Sequence, residues 1–285
     1  MHALGPPSLT LLHRSWRHRI AWINAKAFAS RASPNQSRGG LPRFYSDVLP
    51  PSKGNIVRVQ GDEFWHITRV LRLNVHDRLE LFNGTGEVTK GCIVKIDKTG
   101  LDVMALGDPE VYVPKGTQWN VYSAFGSLKG GRADWLIEKC TELGASSVTP
   151  LLTARSPSIT ENRADRWERV TLAATKQCQR LQKMVLNHPT TIHDLLPVVS
   201  QSNLSILAEA EAVPLMEALS AMTIEQRGIL IIGPEGDFTQ DELKLLTEAG
   251  VTPVGLGPLR LRVETATISL LSAVTFWADS QAKKL

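Results

Sequence analysis

The sequence predicts an α/β fold with a parallel sheet, preceded by a small β-barrel or sandwich, and three observations carry that reading. From Phe44 to Pro114 the chain is built of short β-branched runs punctuated by Gly and Asn. After Pro114-Lys115-Gly116 the texture changes to buried strands alternating with amphipathic helices, the pattern of a sheet with helices on its faces. The length of 285 residues with 42% hydrophobic and 21% charged residues supports about two cores, which excludes a disordered or fibrous chain.

The elements follow in chain order. Residues 1–40 hold Arg14, Arg17, Arg19, Lys26, Arg31 and Arg38 and no acidic residue. Within 9–28 Leu12, Trp16, Ile20, Ile23 and Ala27 recur at spacings of three or four, a basic amphipathic helix. Ser30, Ser33, Ser37 and a Gly/Pro break follow it. That composition predicts an organellar transit peptide, with the mitochondrial matrix favoured over the plastid stroma on Arg density and aromatic content. The alternative is a disordered basic arm that holds RNA, for which the apolar stripe would have no use.

Residues 41–115 form the first domain, with strands in NIVRVQG, DRLELFNGTGEVTKGCIVKI and LDVMAL, and turns at Asn83-Gly84 and Lys98-Thr99-Gly100. Residues 116–285 form the second. WNVYSAF, SVTPLL, LSILAE, GILIIG and TPVGLG read as strands, and DWLIEKCTEL, RADRWERVTLAATKQCQRL, TQDELKLLTEAG and ETATISLLSAVTFWA as helices.

The formal charge of +4 belongs to the first 40 residues, since 41–285 carry 26 basic against 28 acidic side chains. Within the remainder only 116–190 are basic, 10 against 6. No apolar run reaches the ~18 residues of a membrane span. Cys92, Cys140 and Cys178 lie far apart without CxxC or a Cys/His cluster, which predicts neither a metal site nor a disulfide framework.

Ligands of parallel sheets bind in loops beyond the carboxyl ends of the strands. Two such loops are dense in glycine. Gly233-Pro234-Glu235-Gly236-Asp237-Phe238 lies between a buried strand and a helix that Thr239 would cap; it is neither a phosphate loop nor a dinucleotide fingerprint. Leu256-Gly257-Pro258-Leu259-Arg260-Leu261-Arg262-Val263-Glu264-Thr265-Ala266 runs into the last helix, where Arg260 and Arg262 add charge suited to an anion or a developing oxyanion. Alternatively, Arg262 merely pairs with Glu264 or Glu235. A basic cluster around Lys129, Arg132 and Arg155 is either a solvated face or an RNA footprint.

Together these blocks resemble the ribosomal RNA small subunit methyltransferase E family, of the SPOUT class. The resemblance runs from Pro42-Arg43-Phe44-Tyr45 through His66-Ile67-Thr68-Arg69-Val70-Leu71-Arg72, Leu81-Phe82-Asn83-Gly84, Lys129, Lys139 and Thr141-Glu142-Leu143-Gly144. It continues through Arg155-Ser156, Arg166-Trp167, Gln177 and Arg180 to Gly233–Gly236 and the Leu256–Ala266 block. It departs at Asp237, Glu138 and Lys176, where the family commonly has Gly, Gln and an acidic residue.

The resemblance implies a PUA-like β-barrel RNA-binding domain followed by a trefoil-knotted α/β methyltransferase domain. It also implies S-adenosylmethionine as cofactor, a homodimer, and methylation of uridine N3 in small-subunit ribosomal RNA, with no membrane or DNA partner. The cofactor cradle is then expected from Leu207, Gly233, Glu235, Gly236, Leu256, Gly257, Leu261 and Thr265. Arg262 would stabilise the uracil anion, with Glu264 or Glu235 orienting it or relaying the proton. Phosphate contacts are expected from Arg43, Arg69, Arg72, Lys129, Arg132, Arg155 and Arg180. His66 reads as a structural residue. The alternatives are a SPOUT enzyme acting on another RNA and a non-catalytic RNA-binding assembly factor.

Overall fold

The structure, a computed structural model, describes residues 40–129, 131–159 and 163–282, so all of the expected transit peptide except Gly40 lies outside the described residues. The first part comprises Arg43–Tyr45 (β1), Ile56–Val59 (β2), Gly61–Trp65 (α1) continuing as a π-helical turn His66–Val70, Arg78–Phe82 (β3), Glu87–Ile96 (β4), Leu101–Ala105 (β5) and Glu110–Val111 (β6). They make one sheet in the order β1-β3-β4-β5-β2, with β6 on β4. β1 runs parallel to β3 and the other pairings are antiparallel. Leu79, Leu81, Ile93, Leu101 and Val103 alternate inward and pack with Phe44, Val59 and Ile67. One sheet around one core replaces the sandwich alternative.

The second part contains Gln118–Ser123 (β7), Arg132–Glu142 (α2), Ser147–Leu152 (β8), Ala164–Cys178 (α3), Val185–Leu186 (β9), Thr190–Thr191 (β10) and Ile192–Ser200 (α4). Ser205–Ala208 (β11), Leu215–Ser220 (α5), Arg227–Ile232 (β12), Gln240–Glu248 (α6), Thr252–Val254 (β13) and Val263–Ala282 (α7) complete it. The sheet is parallel throughout, in the order β10-β8-β7-β12-β11-β13, with β9 on β8.

β12 shows why. Its Gly228–Ile232 run is buried, as expected of a strand covered on both faces. Leu230 and Ile232 join the core that holds Leu136 of α2, Trp167 of α3 and Leu270 of α7. Ile229 and Ile231 join the opposite core, with Leu195 of α4 and Leu246 of α6. Thr239 caps α6 in a reciprocal capping box with Glu242.

The sequence reading overlooked β1, the 61–70 helix, α4 and α5. α4 carries Pro197 inside nine residues, which masks the period, yet Thr191 caps it by accepting from the Asp194 N–H. The Asn83-Gly84 turn does more than join β3 to β4. The Gly84 carbonyl accepts from Lys183 N–H at 2.6 Å and Gly86 N–H donates to the Leu181 carbonyl at 2.9 Å, joining the two parts.

Candidate active site between two glycine loops

Because β11, β12 and β13 lie side by side and parallel, the three loops that leave them converge. Between them is an open cleft lined by Gly233, Pro234, Glu235 and Asp237 from one loop, Leu256, Gly257, Leu259, Arg260 and Leu261 from the second, and Ala208, Glu209 and Ala210 from the third, with Val263 and Ala266 of α7.

Gly233 is required by close packing. A Cβ there would lie 2.9 Å from the ring of Phe238, which is buried and holds the loop from behind. Asp237 has φ of 63°, the left-handed region, where glycine is most at ease and Asp is among the residues that tolerate it. That conformation accounts for a family glycine being replaceable by Asp here. Gly257, at φ of 112°, adopts backbone that side-chain-bearing residues avoid.

Three arginines fix the first loop from three directions. Arg155 donates to the Gly236 carbonyl and, at 3.4 Å, to the Asp237 carbonyl. Arg260 reaches across the cleft to the Glu235 carbonyl at 2.7 Å. Arg132, at the start of α2, donates to Glu235 Oε1 at 2.7 Å and Glu264 Oε1 at 3.5 Å, and the bond to Glu235 raises its pKa above the ordinary value. The Glu264 side chain is only 9% exposed, and its Oε2 is buried without a hydrogen-bond partner among the described residues. Beneath it on α7, Thr267 shares a hydrogen bond of 3.0 Å with Ser123 of β7.

The expected pairing of Arg262 with Glu264 or Glu235 is therefore corrected. Arg132 takes both carboxylates. Arg262 is exposed and its guanidinium has no ion-pair or hydrogen-bond partner among the described residues, because Glu264 is turned inward in the first turn of α7. Three expected cradle residues also lie off the cleft. Leu207 is fully buried in the core of the opposite sheet face, since the two-residue period of a strand sends Ala208 toward the cleft instead. Thr265 is exposed, while Val263 and Ala266 face inward at helical spacing. Gly236 lies beside Arg155, with its carbonyl engaged there. Gly233, Glu235, Leu256, Gly257 and Leu261 do line the cleft. Glu209 and Ala210 were missed, although Glu209 ends the predicted strand LSILAE and Ala210 follows it, where the carboxyl-end rule would have looked.

A family model described as RNA methyltransferase domain matches residues 115–275, and one described as RNA methyltransferase PUA domain matches 59–103. Ribosomal RNA small subunit methyltransferase E of Mycobacterium bovis is 31% identical over 242 residues, covering 81% of this chain and 90% of its own. The chain belongs to the ribosomal RNA small subunit methyltransferase E family. The Bacillus subtilis member is 28% identical over 78% of this chain and 90% of its own. Among solved structures, a probable rRNA-methyltransferase from Porphyromonas gingivalis matches 85% of this chain and all of its own, with TM-score 0.70 and 27% identity. A Legionella pneumophila methyltransferase solved with S-adenosylmethionine matches 82% of this chain and 96% of its own, with TM-score 0.65 and 25% identity.

For a member of this methyltransferase family, the state of the basic side chains bears on RNA contact. Arg43 makes two hydrogen bonds to Glu80, at 2.8 and 3.0 Å. Arg180 donates to the Thr141 carbonyl at 3.1 Å, and burial lowers its pKa. Arg132 and Arg155 are engaged with the loop at the cleft. Arg69, Arg72 and Lys129 are exposed and have no side-chain partner among the described residues. Arg163, which the sequence reading overlooked, holds the loop before Lys129 by donating to the Gly126 and Leu128 carbonyls at 2.9 and 3.1 Å.

Proposed function

We propose that this RNA methyltransferase transfers a methyl group from S-adenosylmethionine to N3 of one uridine in small-subunit ribosomal RNA, as a homodimer in an organelle. The cleft carries the reading: an open site where three glycine-bearing or small-residue loops converge, with the first loop held by three arginines, suits a cofactor gripped through main-chain groups. The orphaned Glu264 Oε2 beside it supports the same reading, since buried polar atoms left unpaired call for a partner.

S-adenosylmethionine supplies a methyl already activated by its sulfonium. The protein's task is to orient the acceptor, exclude water and manage one proton. The exposed, unpaired guanidinium of Arg262 stabilises the negative charge that spreads to uracil O2 and O4 as the N3 proton leaves. Glu264 holds Arg132, Arg132 holds Glu235, and Glu235, exposed on the cleft wall, is the candidate proton acceptor.

A homodimer is supported by Phe276 of α7 and Trp135 of α2, which are 68% and 44% exposed on two helices that pack against each other. The close crossing of Ala212–Leu215 over Gly255 supports the knot that the family resemblance implies. The organellar address rests on the composition of residues 1–40, with the mitochondrial matrix favoured.

The test is to incubate the protein with labelled S-adenosylmethionine and organellar small subunits, then map the modified base. Label at N3 of one uridine is expected. Label on transfer RNA would overturn the substrate, and failure to bind the cofactor would overturn the enzyme reading.

A further inference from the structure

Trp65 is 60% exposed at the end of α1, where the helix widens into the π turn His66–Val70. Its neighbours explain why it points outward. Ile67 is fully buried in the barrel-domain core and anchors the turn. The widened turn closes with a hydrogen bond of 3.0 Å from Leu71 N–H to the His66 carbonyl, five residues back. A turn of this width places residues four and five apart on one face, so Trp65, Arg69 and Val70 turn outward together, and all three are exposed. The chain then leaves through Arg72, which is exposed and has φ of 56°.

Neither Arg69 nor Arg72 has an ion-pair or side-chain hydrogen-bond partner among the described residues. No ring or cation covers the Trp65 indole there either, whereas Tyr45 has Lys176 4.6 Å from its ring centroid. Asp62, one turn before Trp65, opposes one of the two positive charges and leaves an excess of one. An uncovered indole beside two guanidiniums that form no ion pair, with a net excess of one positive charge, is complementary to an unpaired nucleotide, which offers a π-face for stacking and a phosphate within reach of arginine. A protein partner would use the apolar face of Trp65 with Val70 but would leave the guanidiniums without an acceptor.

We propose that Trp65 is a stacking platform for an unpaired base of the substrate RNA, with Arg69 and Arg72 gripping the flanking phosphates. The proposal rests on the ribosomal RNA reading above and adds to it a base contact, at Trp65, beside two arginines already expected to meet phosphate. The full chain and its Trp65→Ala and Trp65→Phe variants are titrated with protein-free small-subunit RNA, following RNA affinity and the quenching of tryptophan fluorescence. Base–aromatic stacking predicts that Trp65→Ala weakens RNA binding by roughly 5- to 150-fold and removes a component of the quenching. Trp65→Phe should recover most of the affinity, which a merely structural role at this exposed position would not require. If the unaltered chain binds the RNA and Trp65→Ala binds it equally well, the platform is refuted while the substrate reading stands. If the unaltered chain does not bind that RNA, the same affinity comparison is made on assembled small subunits, and failure to bind those as well overturns both.

Discussion

Gly255 follows β13 and is crossed by the segment that leaves β11. Its N–H donates to the Val213 carbonyl at 2.8 Å, and its carbonyl accepts from Leu215 N–H at 3.0 Å. A Cβ at this position would stand 2.7 Å from the carbonyl oxygen of Ala212. A backbone oxygen cannot rotate aside as a side chain can, so in Gly255→Ala the segment must retreat by about 0.3–0.7 Å to restore a tolerated contact. Overpacking of this kind costs about 1–3 kcal/mol. In a domain of this size each kcal/mol moves the thermal midpoint by roughly 2–4 °C, so a fall of about 2–12 °C is expected. The same segment carries Glu209 and Ala210 of the cleft wall. A shift of that size in the cleft wall predicts weaker cofactor binding as well. Thermal unfolding and titration calorimetry with S-adenosylmethionine measure the two effects. Gly107→Ala is the control, because a Cβ there meets nothing within 4 Å. An unchanged midpoint together with unchanged cofactor affinity in Gly255→Ala would refute the argument that this crossing sets the cleft wall.

Arg262→Ala should reduce single-turnover methyl transfer by about 10²–10³-fold, the usual loss on removing one oxyanion donor, without lowering the thermal midpoint; full activity would remove Arg262 from the mechanism. Lys129→Ala should reduce the slope of log affinity against log salt for RNA by about 0.7, the single-strand increment per contact, whereas Arg155→Ala should spare that slope and weaken cofactor binding. The reverse pattern would exchange the two roles. Burial pushes the Cys140 thiol up to about 12 from 9.0, so it stays protonated in the fold where an unfolded chain would ionise. Its contribution to stability is thus fully present below pH 9 and lost as pH rises through 12. Native protein at pH 8 should resist alkylation at Cys140 while the partly exposed Cys92 reacts, as peptide mass spectrometry would show; equal rates would contradict the burial.

Much of this molecule is legible in one dimension because its signals are local. The period-two alternation of β5, the continuous apolar run of β12, the capping box at Thr239 and the Asn83-Gly84 turn each depend on residues within a few positions of one another. The two glycine loops were legible for the same reason, each being a short interruption between a strand and a helix. Elements without a local period were not: β1 is three residues long and exists by pairing with β3, and the widened turn at 66–70 has a single buried residue, Ile67, in the core.

The sequence by itself determined the two-part organisation, the parallel sheet, the loops that bear the chemistry and the family, because burial patterns and turn chemistry are written in neighbouring residues. Which arginine does what was decided only in three dimensions. Arg132, Arg155 and Arg262 are equivalent as letters, yet one joins two carboxylates, one holds a loop carbonyl and one is left free. The difference is set by which acceptors residues up to 132 positions away bring within hydrogen-bonding distance.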